Sequence, residues 1–291
     1  MTHPLATARS LLFVPADRPE RLPKALASGA DAVIVDLEDA VAPVRRDAAR
    51  AALGQAWRGV APADRARVAI RINGVATPWH ADDVALVQTL SGHGAGPAGL
   101  GGLVLPKAES PEAIAALAAG CPQVPLIALI ESAEGAARLD AIAAAPQVLR
   151  LAFGHIDLQA DLGMACDPDE AELAPLRWAL VLASRRAGLA APVDGVTTAT
   201  GDAARLAADT ARARRFGFGG KLCIHPAQIA GVHAAYAPDA QVVDWARRVL
   251  AAAEAAQDGV CVLDGRMVDA TVIALASQTL QRAAAATGAV R

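Results

Sequence analysis

The sequence predicts a (β/α)8 barrel, the TIM-barrel fold, with a C-terminal helical extension. Three observations carry this: eight short apolar runs are each followed by text of helical spacing, no antiparallel hairpin signal separates them, and polar residues close nearly every run instead of gathering at one point. An open doubly wound sheet would place a GxGxxG turn after its first strand, and this chain has none there. The expected division is a barrel over residues 1–230 and C-terminal helices over residues 231–291.

Ser10-Leu11-Leu12-Phe13-Val14, stopped by Pro15, is the first strand, and residues 18–26 make its helix. The second strand, residues 31–37, runs into carboxylates at Asp36, Glu38 and Asp39 before a helix over residues 44–57. Residues 67–74 form the third strand and residues 78–90 its helix. The glycine-rich stretch 91–102 precedes a strand instead of joining a strand to a helix, so it reads as a surface connection and not as a phosphate cradle. Leu103-Val104-Leu105-Pro106-Lys107 is the fourth strand, with Ser110-Pro111-Glu112 as N-cap, N1 proline and acidic first turn of the next helix. Residues 124–132 are the fifth, an apolar run that reads as a fully buried strand and ends on Glu131. The sixth is residues 149–154, leading into a helix that reaches about Gly188; the seventh, 191–196, precedes a helix over 202–216; the eighth is 221–226. Helices near 226–229, at 239–257 and up to about 286 make the tail, which by composition reads as a helical hairpin burying an apolar patch.

Bulk properties narrow the function. With 291 residues, 54% of them hydrophobic, the chain can bury a large core, yet no apolar run approaches the ~20 residues of a membrane span. Its first ten residues lack the charged and apolar regions of an export signal, which makes the cytoplasm the expected location. Cys121, Cys166, Cys223 and Cys261 stand far apart with no CxxC or Cys/His pair, as reduced thiols would. A net charge of −3 without a basic stripe argues against nucleic acid.

The strand ends collect Asp17/Arg18, Asp36/Glu38/Asp39, Arg71/Asn73, Lys107/Glu109, Glu131, Asp157, Asp194 and His225, all expected at one mouth of the barrel. A carboxylate ending a buried strand costs several kcal/mol to desolvate unless a cation meets it, so Glu131 reads either as a ligand or as a cap of the following helix. Glu131 and Asp157, from adjacent strands, suit one Mg²⁺ or Mn²⁺ and leave coordination positions open for water and substrate oxygens. The scattered histidines argue against zinc or iron, and His155 and His225 read as packing residues. Arg71 offers a planar fork to a substrate carboxylate, or else forms a salt bridge to Asp36 or Glu38. Two residues apart, Arg71 and Asn73 are expected on one side of the barrel.

The segments Arg9-Ser10-Leu11-Leu12-Phe13-Val14-Pro15, Val35-Asp36-Leu37-Glu38-Asp39-Ala40-Val41, Ile70-Arg71-Ile72-Asn73-Gly74, Leu105-Pro106-Lys107-Ala108-Glu109-Ser110, Ile130-Glu131-Ser132, Phe153-Gly154-His155-Ile156-Asp157-Leu158 and Gly219-Gly220-Lys221-Leu222-Cys223-Ile224-His225-Pro226, in this order, resemble the citrate lyase beta subunit and malyl-CoA lyase group of the HpcH/HpaI aldolase superfamily. The resemblance runs from about Arg9 to Arg282. It implies a TIM barrel that cleaves or forms a carbon–carbon bond between a CoA or acyl-carrier-protein thioester and a 2-oxo acid. Mg²⁺ is then expected at Glu131 and Asp157, and the oxo-acid carboxylate near Arg71, with Arg18, Asp36, Pro106 and Lys107 as further substrate-site residues. The segment Asp264-Gly265-Arg266-Met267-Val268-Asp269 resembles a lid that closes the site of a neighbouring subunit, with Asp269 as the acid/base. This implies a homo-oligomer, a trimer or a dimer of trimers. One departure is Ala16-Asp17, where related sequences carry Gly-Asn or Gly-Ser; the added negative charge bears on CoA contacts of this loop. The implied chemistry is a retro-Claisen cleavage of a citryl, malyl or citramalyl thioester. A class II pyruvate aldolase without CoA and a non-catalytic metabolite-binding barrel are the rival readings.

Overall fold

The computed structural model describes residues 3–92, 99–256 and 261–288. Eight parallel strands close into a barrel in sequence order: β1 Ser10–Pro15, β2 Ala32–Asp36, β3 Val68–Arg71, β4 Gly102–Leu105, β5 Leu126–Ile130, β6 Val148–Phe153, β7 Val193–Asp194 and β8 Gly220–Cys223. The ring closes where β8 pairs with β1 (Leu11 beside Leu222). Most of the glycine-rich stretch, residues 93–98, lies outside the described residues.

Period-two alternation builds the interior. Leu11, Ile34, Ala69, Ile127, Leu129 and Ala152 share one buried cluster inside the ring. Continuing each inward-facing row by two residues leads from Ile34 to Asp36, from Ala69 to Arg71, from Leu129 to Glu131 and from Ala152 to Gly154. The chemistry therefore sits on top of an apolar plug, at the carboxyl ends of the strands.

The opposite end is sealed by residues that carry no local signal. The short helix Pro4–Thr7 places Leu5 in the barrel core, fully buried. The buried Arg150 guanidinium donates to the Leu5 and Ala8 carbonyls at 3.0 and 2.7 Å and also to that of Ala191.

Two residues expected at the mouth face elsewhere. Asn73 lies beyond the end of β3, where alternation no longer holds; its side chain donates to the Leu37 carbonyl (3.0 Å) and to Asp83 (2.6 Å), locking two loops together. Asp194 follows the inward-facing Val193 and so points outward, between Arg177 (3.3 Å) and Lys221 (3.5 Å). Burial alone would raise its carboxyl pKa, but those two cations outweigh it and hold the group below its ordinary value. The helix expected to reach Gly188 is broken: Leu162 ends one segment, Gly163 follows at φ 64°, and a second runs over Ala174–Arg186.

The described chain divides into two compact units, Met1–Val232 and His233–Arg291, with the helix Gln228–Tyr236 running across the division. In the second, helices Ala240–Ala256 and Ala270–Gly288 pack around Ala246, Val249, Val268 and Ala276. Between them is an antiparallel hairpin that the sequence reading did not contain, β9 Cys261–Leu263 and β10 Arg266–Val268. Its two-residue turn, Asp264-Gly265, has φ of 52° and 75°, the positive pair that a type I′ connection requires and that Asp-Gly adopts readily. No described helix is long and apolar enough to cross a membrane.

Candidate active site

Asp36, Arg71, Glu131 and Asp157 line one cavity of about 890 Å³ at the carboxyl ends of the strands. Its floor is apolar, including Phe13, Leu129 and Phe153. Glu131 follows β5 directly, and Asp157 lies in the first turn of the helix His155–Leu162 that follows β6. Gly154 makes this arrangement possible: a Cβ there would fall 2.5 Å from Glu131 Oε2.

Arg71 is gripped before any substrate arrives. Its Nε and Nη2 donate to the two oxygens of Asp36 at 2.7 and 2.6 Å, and Nη1 donates to Asp39 at 3.1 Å. Asp36 in turn accepts the backbone N–H groups of Glu38 and Ala40. Three of the five guanidinium hydrogens are thus used, leaving two for a ligand. Burial works to lower the Arg71 pKa, but Asp36, Glu38 and Asp39 raise it far more, so the group is a permanent cation. The salt bridge and the substrate role considered for Arg71 are compatible, because the bridge fixes the edge that remains.

The carboxylates opposite are held against their ionisation. Glu131 is buried, and burial, with the nearby charges of Glu38 and Asp157, pushes its pKa up to about 8 despite a 2.9 Å hydrogen bond from the Lys107 backbone N–H. Glu38 is pushed up to about 7, chiefly by burial and against the pull of Arg71. Its Oε2 lies 3.1 Å from Arg71 Nη1 yet accepts no hydrogen bond. Crowded acidic oxygens that resist ionisation are what a divalent cation relieves. Among the described residues no three His, Cys, Asp or Glu side chains form a cage. The pair Glu131 and Asp157 therefore fits a hard ion that keeps water and substrate in its shell, and does not fit structural zinc.

The raised pKa has a signed consequence. Between about pH 4.5, the ordinary carboxyl value, and about 8, the native state holds a proton at Glu131 that the unfolded chain has released, so stability is full below this window and is lost as pH rises through it. In EDTA, Tm is expected to fall across the window; Glu131→Gln should flatten the decline, and a decline equally steep in that variant would refute the assignment.

Of the other expected substrate-site residues, Arg18 is exposed and does not line the cavity, because it lies in the turn before the helix Arg21–Leu26. Neither Pro106 nor the Lys107 side chain lines it; Lys107, at φ 45°, contributes its backbone N–H to Glu131. Asp17 is paired with Arg45 at 3.1 Å, which offsets the charge introduced by Ala16-Asp17. Asp269 belongs to the second unit. Its Oδ1 accepts the Val272 N–H at 2.9 Å and caps the last helix, while its Oδ2 makes no hydrogen bond among the described residues. Arg21 and Lys24, on the helix after β1, line the cavity and went unread in the sequence. Their spacing of three on a helix was the available signal. His155 is buried beside Glu170 (3.6 Å), burial lowers its pKa, and it also lines the cavity; His225, read as a packing residue, is instead exposed and lines the cavity too.

The family model for HpcH/HpaI aldolase/citrate lyase matches residues 9–226. A (3S)-malyl-CoA thioesterase of Cereibacter sphaeroides is 35% identical, with 98% of each chain covered. A citrate lyase subunit beta-like protein of Mycobacterium tuberculosis is 38% identical over 95% of this chain and 96% of its own. Among solved structures, CitE from Mycobacterium tuberculosis in complex with magnesium, acetoacetate and coenzyme A is similar at a TM-score of 0.81 and 36% identity, over 96% of this chain and 99% of that one. The citrate lyase beta subunit of the same organism complexed with oxaloacetate and magnesium gives 0.68 and 36%, over 80% and 99%.

Proposed function

Because the chain belongs to the HpcH/HpaI aldolase/citrate lyase family, we propose that it is a cytoplasmic, Mg²⁺-dependent carbon–carbon lyase that splits a 3-hydroxyacyl thioester such as malyl-, citramalyl- or citryl-CoA into an acyl thioester and a 2-oxo acid. The observation that carries this reading is the single cavity that brings the Glu131/Asp157 pair, the anchored cation Arg71 and the basic residues Arg21 and Lys24 together. Four unpaired thiols fit the reducing compartment.

Glu131 and Asp157 would hold the metal, which supplies Lewis acidity at the hydroxyl oxygen that becomes the oxo-acid carbonyl. Arg71 holds the oxo-acid carboxylate with the two hydrogens that Asp36 and Asp39 leave unused, and it keeps its charge at every working pH. The carbon–carbon bond breaks, its electron pair passes into the thioester as an enolate, and the hydroxyl proton passes to the Asp269 carboxylate as the carbonyl forms. Asp269 returns a proton to the α-carbon, and we assign it to a lid supplied by a neighbouring subunit of a homo-oligomer. The Arg21 and Lys24 side chains suit the anionic end of a CoA or carrier-protein arm, which a pyruvate aldolase or a bare metabolite binder would not need.

Incubation with Mg²⁺, acetyl- or propionyl-CoA and glyoxylate, pyruvate or oxaloacetate should give a condensed thioester detectable by mass, abolished by EDTA. No product from any pair, in either direction, would end this reading. Arg71→Lys should raise KM for the oxo acid roughly tenfold to a hundredfold, since an ammonium cannot grip Asp36 with two donors and still present an edge to substrate. An unchanged KM would remove Arg71 from the carboxylate.

A second reading rests on the (3S)-malyl-CoA thioesterase relatives, similar over nearly their whole length. The same cavity would then direct water to the thioester carbon and leave the carbon–carbon bond intact.

A further inference from the structure

We infer that His225 is a catalytic hydrogen-bond donor, its Nε2–H directed at the thioester carbonyl oxygen on which negative charge develops. This inference rests on the thioester reading above.

Every other polar atom of the residue is committed. Its backbone N–H donates to Gln228 Oε1 at 3.2 Å, and its carbonyl accepts the Gln228 N–H at 3.0 Å. Gln228, itself buried, also takes the Ile224 N–H at 2.9 Å and donates to the Thr197 carbonyl at 2.7 Å, so one amide pins this loop to the neighbouring one. Pro226 stiffens the next position. The ring is fixed in turn: Nδ1 accepts the Ala227 N–H at 3.2 Å. A ring nitrogen that accepts a backbone N–H carries no proton, so the neutral imidazole has its hydrogen on Nε2. That Nε2 makes no hydrogen bond among the described residues, and His225 lines the cavity.

The location matches the demand. The loop after β8 lies beside β1, whose following helix carries Arg21 and Lys24, while the helix after β6 carries Asp157 in its first turn. A substrate joining the metal pair to the basic pair runs past this loop. When the carbon–carbon bond breaks, the electron pair moves onto the thioester oxygen, and a donor already oriented stabilises it without transferring a proton. His225 therefore differs from Asp269, which exchanges one.

The test compares His225→Ala with His225→Gln, whose side-chain amide can place a donor near the Nε2 position. Loss of one oriented oxyanion donor costs roughly 10²–10³ in turnover. His225→Ala is expected to lose that much in kcat with little change in KM or in Mn²⁺ affinity measured by electron paramagnetic resonance, and His225→Gln to recover at least about a tenth of wild-type kcat. If His225→Ala fails to fold, His225→Leu takes its place with the same expected loss in kcat; His225→Gln below about a tenth of wild-type kcat, or His225→Leu above it, overturns the assignment. Loss appearing in KM alone, or His225→Ala within about threefold of wild type, also overturns it. A wild-type protein inert toward all thioesters would remove the parent reading and this inference with it; an active wild type with an undiminished alanine variant removes only the inference.

Discussion

Replacing Glu131 by alanine is expected to abolish divalent-cation binding and to cut turnover by roughly 10³-fold or more, because two protein ligands are too few to lose one and an aligned Lewis acid contributes several kcal/mol to charge stabilisation. The barrel should remain folded. In the metal-free protein Glu131 is a burden: its carboxyl is buried beside Glu38 and Asp157, and its pKa of about 8 records how strongly its charge is resisted. Removing it relieves that repulsion at the cost of one hydrogen bond to the Lys107 N–H. Above pH 8, Tm of the variant in EDTA should equal or exceed that of the wild type. Titration with Mn²⁺ followed by electron paramagnetic resonance reads the binding loss directly; wild-type affinity in this variant would place the cation elsewhere.

The second large effect concerns Asp269→Asn. Asparagine caps a helix about as well as aspartate, so the bond to the Val272 N–H and the fold of the second unit should persist. Loss of general acid–base catalysis should lower turnover roughly 10²–10⁴-fold while Mn²⁺ and oxo-acid binding stay normal. If a neighbouring subunit supplies Asp269, mixing this variant with Glu131→Ala should restore activity under subunit exchange, since some mixed sites combine Glu131 of one chain with Asp269 of another. Mixed oligomers verified by native mass spectrometry yet without activity would show that Asp269 acts within its own chain or takes no part.

The barrel was legible because its strands obey a period of two and its helices carry their own start signals. Ser110-Pro111 caps the helix Pro111–Gly120 as its spacing foretold, and Ser132 accepts the Gly135 N–H at the start of the next turn. Asp36, Arg71 and Glu131 could be placed for the same reason, each continuing the inward row of its strand. The misplacements follow where that rule lapses. Asn73 lies past the last paired residue, and its direction was set by Asp83, ten positions away. Asp194 sits on a strand of only two residues, too short for its parity to be read from pattern. Arg150 plugs the barrel by reaching a carbonyl 145 residues earlier, a contact with no local trace. Arg21 and Lys24 were overlooked although their spacing was visible, because Arg18 stood nearer the strand. The Asp264-Gly265 turn was also visible as a hairpin signal, but lay within a segment read as a lid.

The most direct test of the lyase assignment is the identity of the first product. With Mg²⁺ and malyl- or citramalyl-CoA, a mass-resolved time course should show acetyl-CoA rising together with glyoxylate or pyruvate, and no early free CoA. Free CoA rising together with intact malate or citramalate, with no acetyl-CoA, would contradict carbon–carbon cleavage and establish hydrolysis of the thioester instead.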